Sequence, residues 1–304
     1  MGDQGYATSV SAHYTSGDLG MKILTALRDA GKDPDALHLD DLAPVDQVHW
    51  GGTRATRDLM RRAGFARGMR VLDVGGGLGG PARLIADGAG CDVTVLDLSE
   101  EFCEVGAMLT AHVGLGDRVT FRHGSALAMP FADGEFDRVW TQHATMNIAE
   151  KERLYREIYR VLRPGGQLAM HEVMAGPVQP IHFPVPWARD TTISFLRSSE
   201  DVRALLADIG FREVEWVDER ENVLATMQEL GGGRGARRAA PARHSRHARP
   251  AIPGDGAERR AQPPGRSPHH RAGGLRATVT HGGIRRPLLP PASVRASTRR
   301  TWRA

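Results

Sequence analysis

The sequence is poor in cysteine, with only Cys91 and Cys103 among 304 residues. Two cysteines cannot build a disulfide framework or a cysteine-based zinc site, so no metal is expected. No apolar run approaches the roughly 18 residues that a membrane-spanning helix requires. The first residues, MGDQGYATSV, lack the basic and then apolar layout of a secretory signal. These absences predict a cytoplasmic protein with no membrane partner.

Lysine is absent from the C-terminal part of the sequence. Residues 231–304 contain 17 arginines and only two acidic residues, Asp255 and Glu258, which gives this part a net charge of +15. The whole chain carries +4, so residues 1–230 carry −11. An acidic body lacks the electrostatic footprint of a nucleic-acid-binding domain, and no nucleic-acid partner is expected for it.

Between residues 70 and 218, strand-like apolar runs alternate with helical patterns. Leu154, Ile158, Val161 and Leu162 share one helical face, and Val202, Leu205, Leu206 and Ile209 share another, which begins at Ser198 or Ser199 and stops at Gly210. This alternation predicts crossover connections and a mostly parallel α/β sheet. Residues 19–30 and 53–63 predict helices laid over it. The six predicted strands are 70–75, 92–98, 118–124, 137–143, 166–173 and 211–218.

A glycine-rich loop follows the first predicted strand, in the stretch VLDVGGGLGG at 71–80. Glycines allow a ligand to approach the backbone closely, and the helix that follows offers N–H groups to an anion. Asp97 ends the second strand, where a carboxylate can accept hydrogen bonds from a ribose diol. The simpler interpretations are a tight turn packed under a helix and a helix-start acid beside Ser99.

Three segments together resemble the class I S-adenosylmethionine-dependent methyltransferases. They are the glycine loop with Asp73 inside its strand, MPFADGEFDRVW at 129–140, and YREIYRVLRPGGQLAMHEV at 155–173. WTQHATMNI at 140–148, YTSGDLG at 14–20 and HFPVPWARD at 182–190 are similar to bacterial glycine, sarcosine and dimethylglycine N-methyltransferases. The resemblance implies a Rossmann-like, doubly wound sheet with an N-terminal helical cover, and S-adenosylmethionine as the cofactor.

The resemblance also implies roles for individual residues. Gly75 and Gly77 would pass under the methionine part of the cofactor, Asp97 would hold the ribose, and Leu98 would lie against the adenine. Many family members have an acid where this chain has Ser125, so adenine recognition would rest on a hydroxyl or on backbone. The expected cofactor neighbours are Asp73, Gly75, Gly76, Gly77, Gly79, Asp97, Leu98, Ser125, Ala126, Gln142, Tyr14 and Trp50.

His143 follows the fourth strand at the edge of the sheet where ligands bind in open α/β folds. Because its ordinary pKa is about 6.5, it is the candidate base or substrate-orienting residue. A strand-end structural histidine is the alternative. Aromatic rings could face a cationic amine, and Arg189 could pair with a carboxylate. The candidate residues for binding a small-molecule methyl acceptor are Asn147, His171, Phe183, Trp187 and Arg189.

The predicted reaction is methyl transfer to a small molecule, with an amine such as sarcosine or dimethylglycine as the first candidate. An O- or C-methyltransferase of a sugar, quinone or natural product is the alternative acceptor class. A nicotinamide-dependent oxidoreductase and a non-catalytic nucleoside-binding protein are the alternatives of another class.

We divide the chain into an N-terminal cover at 1–65, a cofactor-binding core at 66–222 and a tail at 223–304. The tail is rich in Arg, Pro, Gly and Ala, which predicts disorder. GC-rich DNA read in a displaced frame gives this composition, so a frameshift near 222–240 is one hypothesis. An authentic arginine-rich extension that binds polyanions is the other. We expect the seventh, antiparallel strand of the family's sheet to be missing, since 277–280 is too short.

Overall fold

The computed structural model describes residues 17–223 and, for the backbone alone, residues 273–281. Seven strands form one sheet in the order β3-β2-β1-β4-β5-β7-β6. The first five neighbours in that order are parallel to one another. The strands are β1 Arg70–Val74, β2 Asp92–Asp97, β3 Val119–His123, β4 Phe136–Gln142, β5 Leu162–Met174, β6 Phe211–Asp218 and β7 Gly273–His281.

All six strands predicted from hydrophobic runs are present, and the mostly parallel doubly wound sheet is confirmed. The central strands are buried on both faces, as parallel strands covered by helices on each side must be. Val71 and Val93 pack in one core, while Leu72 and Val74 pack in the other. Within residues 17–223, seven α-helices surround the sheet: α1 Leu19–Asp29, α2 Leu39–Asp46, α3 Gly52–Ala63, α4 Gly80–Ala89, α5 Glu100–His112, α6 Lys151–Val161 and α7 Ser199–Ile209.

The ends of α6 and α7 follow local chemistry. The Ser198 hydroxyl accepts a hydrogen bond from Asp201 N at 3.0 Å, which caps α7, and Gly210 ends it with a φ of +117°. The sequence pattern placed Leu162 on the α6 face, and this was wrong by one residue. Leu162 has extended backbone and begins β5, because the residues that precede Pro164 leave the helical region.

The N-terminal cover is attached to the core by a buried ion pair. Arg83 of α4 donates to Asp46 at the end of α2, with 2.7 Å between Nη2 and Oδ2, and both side chains are almost fully buried. A Cβ on Gly80 would lie 2.4 Å from the Asp46 carbonyl oxygen, so the two backbones meet closely at this point. The cover is therefore held directly over the start of α4, next to the glycine loop.

The structure corrects the expectation of a missing last strand. Strand β7 is antiparallel to both of its neighbours and lies between β5 and β6. Two physical reasons account for the error. Thr278, Val279 and Thr280 are a β-branched run, and two flanking edges supply unpaired backbone groups to any extended segment that can reach them. The rest of the tail, with the disorder predicted for it, lies outside the described residues.

None of the helices in the described part of the chain is long and apolar enough to cross a membrane.

Candidate functional site

A cavity of about 830 Å³ opens at the carboxyl ends of β1, β2 and β4. This is the edge at which ligands bind in open α/β sheets. The glycine loop after β1, the end of β2, the turn after β4 and the segment that joins α2 to α3 all contribute to its wall. The volume lies toward the upper end of the range for small-molecule sites, roughly 300–1,000 Å³.

The glycine loop adopts left-handed backbone conformations that glycine allows. Gly75 and Gly77 have φ values of +68° and +55°, which disfavour side chains. A Cβ on Gly75 would lie 2.5 Å from the Cβ of Ala144, so the loop packs directly against the turn after β4. Gly75, Gly76 and Gly77 line the cavity with bare main chain. This is a cradle that could hold an extended ligand.

Gly79 does not line the cavity. It caps the start of α4 with a φ of +79°, and a Cβ there would lie 2.6 Å from the Phe121 ring. The expectation that Gly79 contacts cofactor is corrected, because its lack of a side chain serves helix packing against β3.

Asp97 lines the cavity at the end of β2 and is joined to the glycine loop. Its Oδ2 accepts from Gly77 N and its Oδ1 accepts from Ser99 N, each at 2.9 Å. Burial raises the pKa of Asp97, while these backbone N–H groups oppose the rise. Each carboxylate oxygen keeps a further lone pair, so the group can still accept hydrogen bonds from a ligand.

Asp73 lies behind the loop, fully buried on β1. A Cβ on Gly76 would lie 2.7 Å from Asp73 Oδ2, which has no hydrogen-bond partner among the described residues. Burial, with the neighbouring Asp97 carboxylate, raises the pKa of Asp73 to about 8. Asp73 therefore carries a proton at neutral pH and can donate a hydrogen bond.

Leu98, Ser125 and Ala126 line the cavity beside Asp97, where the resemblance placed the adenine. The Ser125 hydroxyl accepts from Leu127 N at 3.2 Å, which fixes the turn after β3. That hydroxyl keeps its own proton for a ligand.

His143 lines the cavity in the turn after β4 and has a φ of +53°, a rare left-handed conformation for a residue other than glycine. Burial, with nearby His49, lowers the pKa of His143 to about 3. The ring is therefore neutral across the physiological range. This state suits an orienting role better than that of a base, because a base with so low a pKa holds a proton weakly.

A polar network lies beneath His143. Gln142 lines the cavity, and its Nε2 is 3.1 Å from His171 Nδ1, while the Thr56 hydroxyl donates to its Oε1 at 3.1 Å. His49 Nε2 lies 3.0 Å from the same hydroxyl. The His171 ring is buried behind His143, with 4.9 Å between ring centroids, and is not part of the cavity wall. The expectation that His171 touches the acceptor is corrected.

Trp50, Asn147 and Trp187 also line the cavity. The Asn147 amide donates to two carbonyl oxygens, those of Trp187 at 3.0 Å and Ile193 at 2.7 Å, so it holds the loop after β5. Phe183 and Arg189 are not in the wall. Phe183 packs in the apolar cluster behind Trp187, and Arg189 is exposed. The proline-rich loop turns those two side chains away from the cavity.

Two further buried ionisable groups support the site: Lys151, which was not predicted, and Glu172, which the sequence pairs with His171 as a candidate near the end of β5. The Lys151 ammonium donates to the carbonyl oxygens of Thr145, Ile148 and Phe195. Glu172 accepts from the Thr141 hydroxyl at 2.6 Å and from Thr145 N at 3.0 Å. A carboxylate near the end of an apolar strand indicates a buried acid, which makes Glu172 recognisable from the sequence. Lys151 has no such indication, because a lysine at the start of a helix is usually exposed.

Tyr14 lies outside the described residues. Within the described part of the chain, no group of three or more His, Cys, Asp or Glu residues could hold a metal ion.

Comparison with known proteins identifies the family. Residues 72–170 match the methyltransferase domain model. The chain is 30% identical over 189 residues to the O-methyltransferase resE of Aspergillus sclerotiorum, a match that covers 60% of this chain and 70% of that protein. The chain belongs to the S-adenosylmethionine-dependent methyltransferase family. The resemblance stated from the motifs is thereby confirmed, and S-adenosylmethionine is the cofactor of this family.

Other relatives of this methyltransferase-family chain are named for methylation of different acceptor atoms. A sarcosine/dimethylglycine N-methyltransferase of Halorhodospira halochloris is 31% identical over 188 residues, which cover 60% of this chain and 64% of that protein. A sterol 24-C-methyltransferase of Eremothecium gossypii is 44% identical over 114 residues, 38% of this chain. That match spans only 31% of the sterol enzyme's length.

Solved structures share the fold of this family member. The phosphoethanolamine N-methyltransferase 2 of Haemonchus contortus, in complex with S-adenosyl-L-methionine, has a TM-score of 0.56 at 23% identity, over 64% of this chain and 45% of that one. The [4+2]-cyclase SpnF has a TM-score of 0.58 at 22% identity, over 91% of this chain and 97% of that one.

Proposed function

We propose that this protein transfers a methyl group from S-adenosylmethionine to a small-molecule acceptor. The observation that carries the proposal is the cradle of Gly75 to Gly77 with the Asp97 carboxylate bonded across it. Bare main chain on one side and a carboxylate on the other fit an amino-acid chain joined to a ribose. The family's cofactor has this composition.

The residues of the site bind and align. Asp97 accepts from the ribose hydroxyls, Leu98 and Ala126 pack on the adenine, and Trp50 covers the cavity from the N-terminal side. When bound, the cofactor supplies a methyl group on a positively charged sulfur. A lone pair of a nitrogen or oxygen acceptor, or the π electron pair of an alkene, would form the new bond to the methyl carbon while the carbon–sulfur bond breaks and its electron pair stays on sulfur. A proton on the acceptor atom, where there is one, leaves to water.

Alignment supplies most of the rate in this proposal. An in-line displacement gains from holding the two reactants at a near-attack distance, an effect that can reach roughly 7–11 kcal/mol. His143, neutral and held beside the Gly75–Ala144 contact, is placed to orient the acceptor by a hydrogen bond. The proposal does not require His143 to act as a general base.

The acceptor atom is nitrogen, oxygen or carbon. The sarcosine/dimethylglycine relative supports an amine such as sarcosine or dimethylglycine, resE supports oxygen and the sterol enzyme supports carbon. Transfer of labelled methyl from the cofactor to a panel of amines, phenols, sugars and alkenes, read by mass spectrometry, distinguishes these three.

Replacement of Asp97 tests the cofactor site. Asp97→Ala removes hydrogen bonds to a charged group, each worth about 1.5–3 kcal/mol, so we expect S-adenosylmethionine to bind at least about tenfold more weakly by calorimetry. Asp92→Ala is the matched control, because Asp92 lies at the opposite end of β2 and its side chain is exposed. Equal affinity in both variants, or tighter binding of a nicotinamide dinucleotide, would contradict the proposal.

A further inference from the structure

The cavity extends beyond the residues that the cofactor needs. Six large apolar side chains line it from the end of α2, the segment that joins α2 to α3, the turn after β4 and the loop after β5, and we call them the acceptor wall. Trp50, Met146 and Trp187 belong to one apolar cluster, so these three segments meet as a continuous surface. All six are apolar: Val45, Val48, Trp50, Met146, Ile148 and Trp187.

Charged groups are few in this cavity. Among the described residues, its lining includes Asp46, Asp73, Asp97 and Arg153. Asp46 is bound to Arg83, and the other two carboxyls, on β1 and at the end of β2, lie against the glycine loop. Arg153 forms a 3.6 Å pair with Glu150 and is about half exposed. The described lining therefore offers no buried cation.

A carboxylated amine would find no buried cation in the described lining. Burying an ionised carboxylate without a cation or hydrogen-bond donors costs several kcal/mol. His143 stays neutral, and Arg189, the cation that the sequence suggested for this role, is exposed and outside the wall. Residues 1–16 contain neither lysine nor arginine.

We propose that the acceptor is a neutral, largely apolar molecule, larger than an amino acid, whose body packs against the acceptor wall. This inference rests on the proposed methyl transfer and names its substrate class. The wall would stabilise such a molecule by removing apolar surface from water. The Asn147 amide donates to two carbonyl oxygens of the loop after β5, so its hydrogens are not directed to the acceptor.

Binding of matched probes to the protein saturated with S-adenosylhomocysteine tests the inference. Calorimetry would compare 2-naphthol, N-methylaniline and geraniol, which are neutral and apolar, with dimethylglycine, which is a zwitterion. We expect at least one of the three to bind at least tenfold more tightly than dimethylglycine. If none does, the inference is overturned, whether or not dimethylglycine itself binds.

A charge placed on the wall gives a second measurement. Val48 is 84% exposed, so Val48→Arg should fold normally while adding a cation to the cavity. We expect it to weaken the tightest apolar probe and to strengthen dimethylglycine, each by at least threefold. Val178→Arg is the control, because Val178 is also exposed, at 57%, but lies outside the cavity. Identical probe affinities in the two variants would contradict the inference.

The first titration separates this inference from the proposed function. Failure of S-adenosylhomocysteine to bind the unmodified protein would contradict the proposed methyl transfer. Normal nucleoside binding together with a preference for dimethylglycine would contradict only the apolar acceptor.

Discussion

His143 combines a left-handed backbone with an imidazole whose buried Nε2 atom has no hydrogen-bond partner among the described residues. The folded protein holds its pKa near 3, whereas an unfolded chain has about 6.5. As pH falls below 6.5, the imidazole of His143 becomes protonated in the unfolded state but stays neutral in the folded state. The stability that the neutral ring provides is therefore lost between about pH 6.5 and 3, at up to roughly 1.4 kcal/mol per pH unit.

We therefore expect His143→Asn to lose less stability than the unmodified protein when pH falls from 7 to 5. Asparagine tolerates the left-handed conformation, so the backbone cost is not changed greatly. Urea unfolding at pH 7, 6 and 5 measures the difference. His182→Gln, at an exposed position in the loop after β5, is the control and should follow the unmodified protein. Parallel curves for His143→Asn and the unmodified protein would show that His143 titrates normally.

The contact between Gly75 and Ala144 is testable by a double-mutant cycle. Gly75→Ala adds a Cβ 2.5 Å from the Ala144 Cβ at a φ of +68°. Gly165→Ala has a similar φ of +77° with nothing within 4 Å, so it isolates the backbone cost of about 1–2 kcal/mol. We expect Gly75→Ala to cost clearly more, in unfolding free energy and in S-adenosylmethionine affinity.

Ala144→Gly should recover the excess, because it removes the atom that the new Cβ meets. The measurement is chemical unfolding of the two single variants and the double variant. If the single effects simply add, the loop and the turn are not in contact in solution.

At the scale of elements, local sequence patterns predicted most of the strands of the sheet but few of the residues in the cavity wall. The β1 and β4 runs, the Ser198 cap and the Gly210 stop depend on neighbours in sequence, and all were predictable. The positions of Phe183 and Arg189 depend on how a long loop closes over the sheet, and the pattern misplaced both. Contacts between segments that are distant in sequence carry no local signal.

Lys151 shows why such contacts matter for the site. Its ammonium joins the turn after β4 to the loop after β5 through the Thr145 and Phe195 carbonyl oxygens. Burial lowers the pKa of Lys151 to about 8, and hydrogen bonds to a charged donor are worth about 1.5–3 kcal/mol each. Lys151→Met should therefore destabilise the fold by about 2 kcal/mol or more and free residues 193–197.

Hydrogen exchange measures that release, with faster exchange expected at Phe195 N, which donates to Met146 O at 2.8 Å. Acceptor affinity should fall more than cofactor affinity, because the loop carries Trp187. Lys22→Met is the control, since Lys22 forms only an exposed pair with Asp18. Unchanged exchange in Lys151→Met would show that the loop is held by other contacts.

At the scale of the whole molecule, the sheet depends on a strand drawn from the arginine-rich tail. Composition alone predicted that the sheet would lack this strand, because the tail reads as disordered or as the product of a frameshift. Position in the sheet could not be read from the sequence, since β7 pairs with segments that lie about 60 to 110 residues earlier in the chain. Strand β7 forms by pairing with both β5 and β6, although its own sequence predicts a strand only weakly.

Two truncations test whether β7 completes the sheet in solution. A chain that ends after Ala272 leaves β5 and β6 with unpaired edges, so we expect a lower melting temperature and aggregation. A chain that ends after His281 keeps the strand and should melt close to the full-length protein. If both truncated chains have the melting temperature of the full-length protein, β7 does not stabilise the fold, and the frameshift hypothesis gains support. Because β5 carries the His171–Gln142 contact beneath the cavity, the shorter chain should also bind S-adenosylmethionine more weakly.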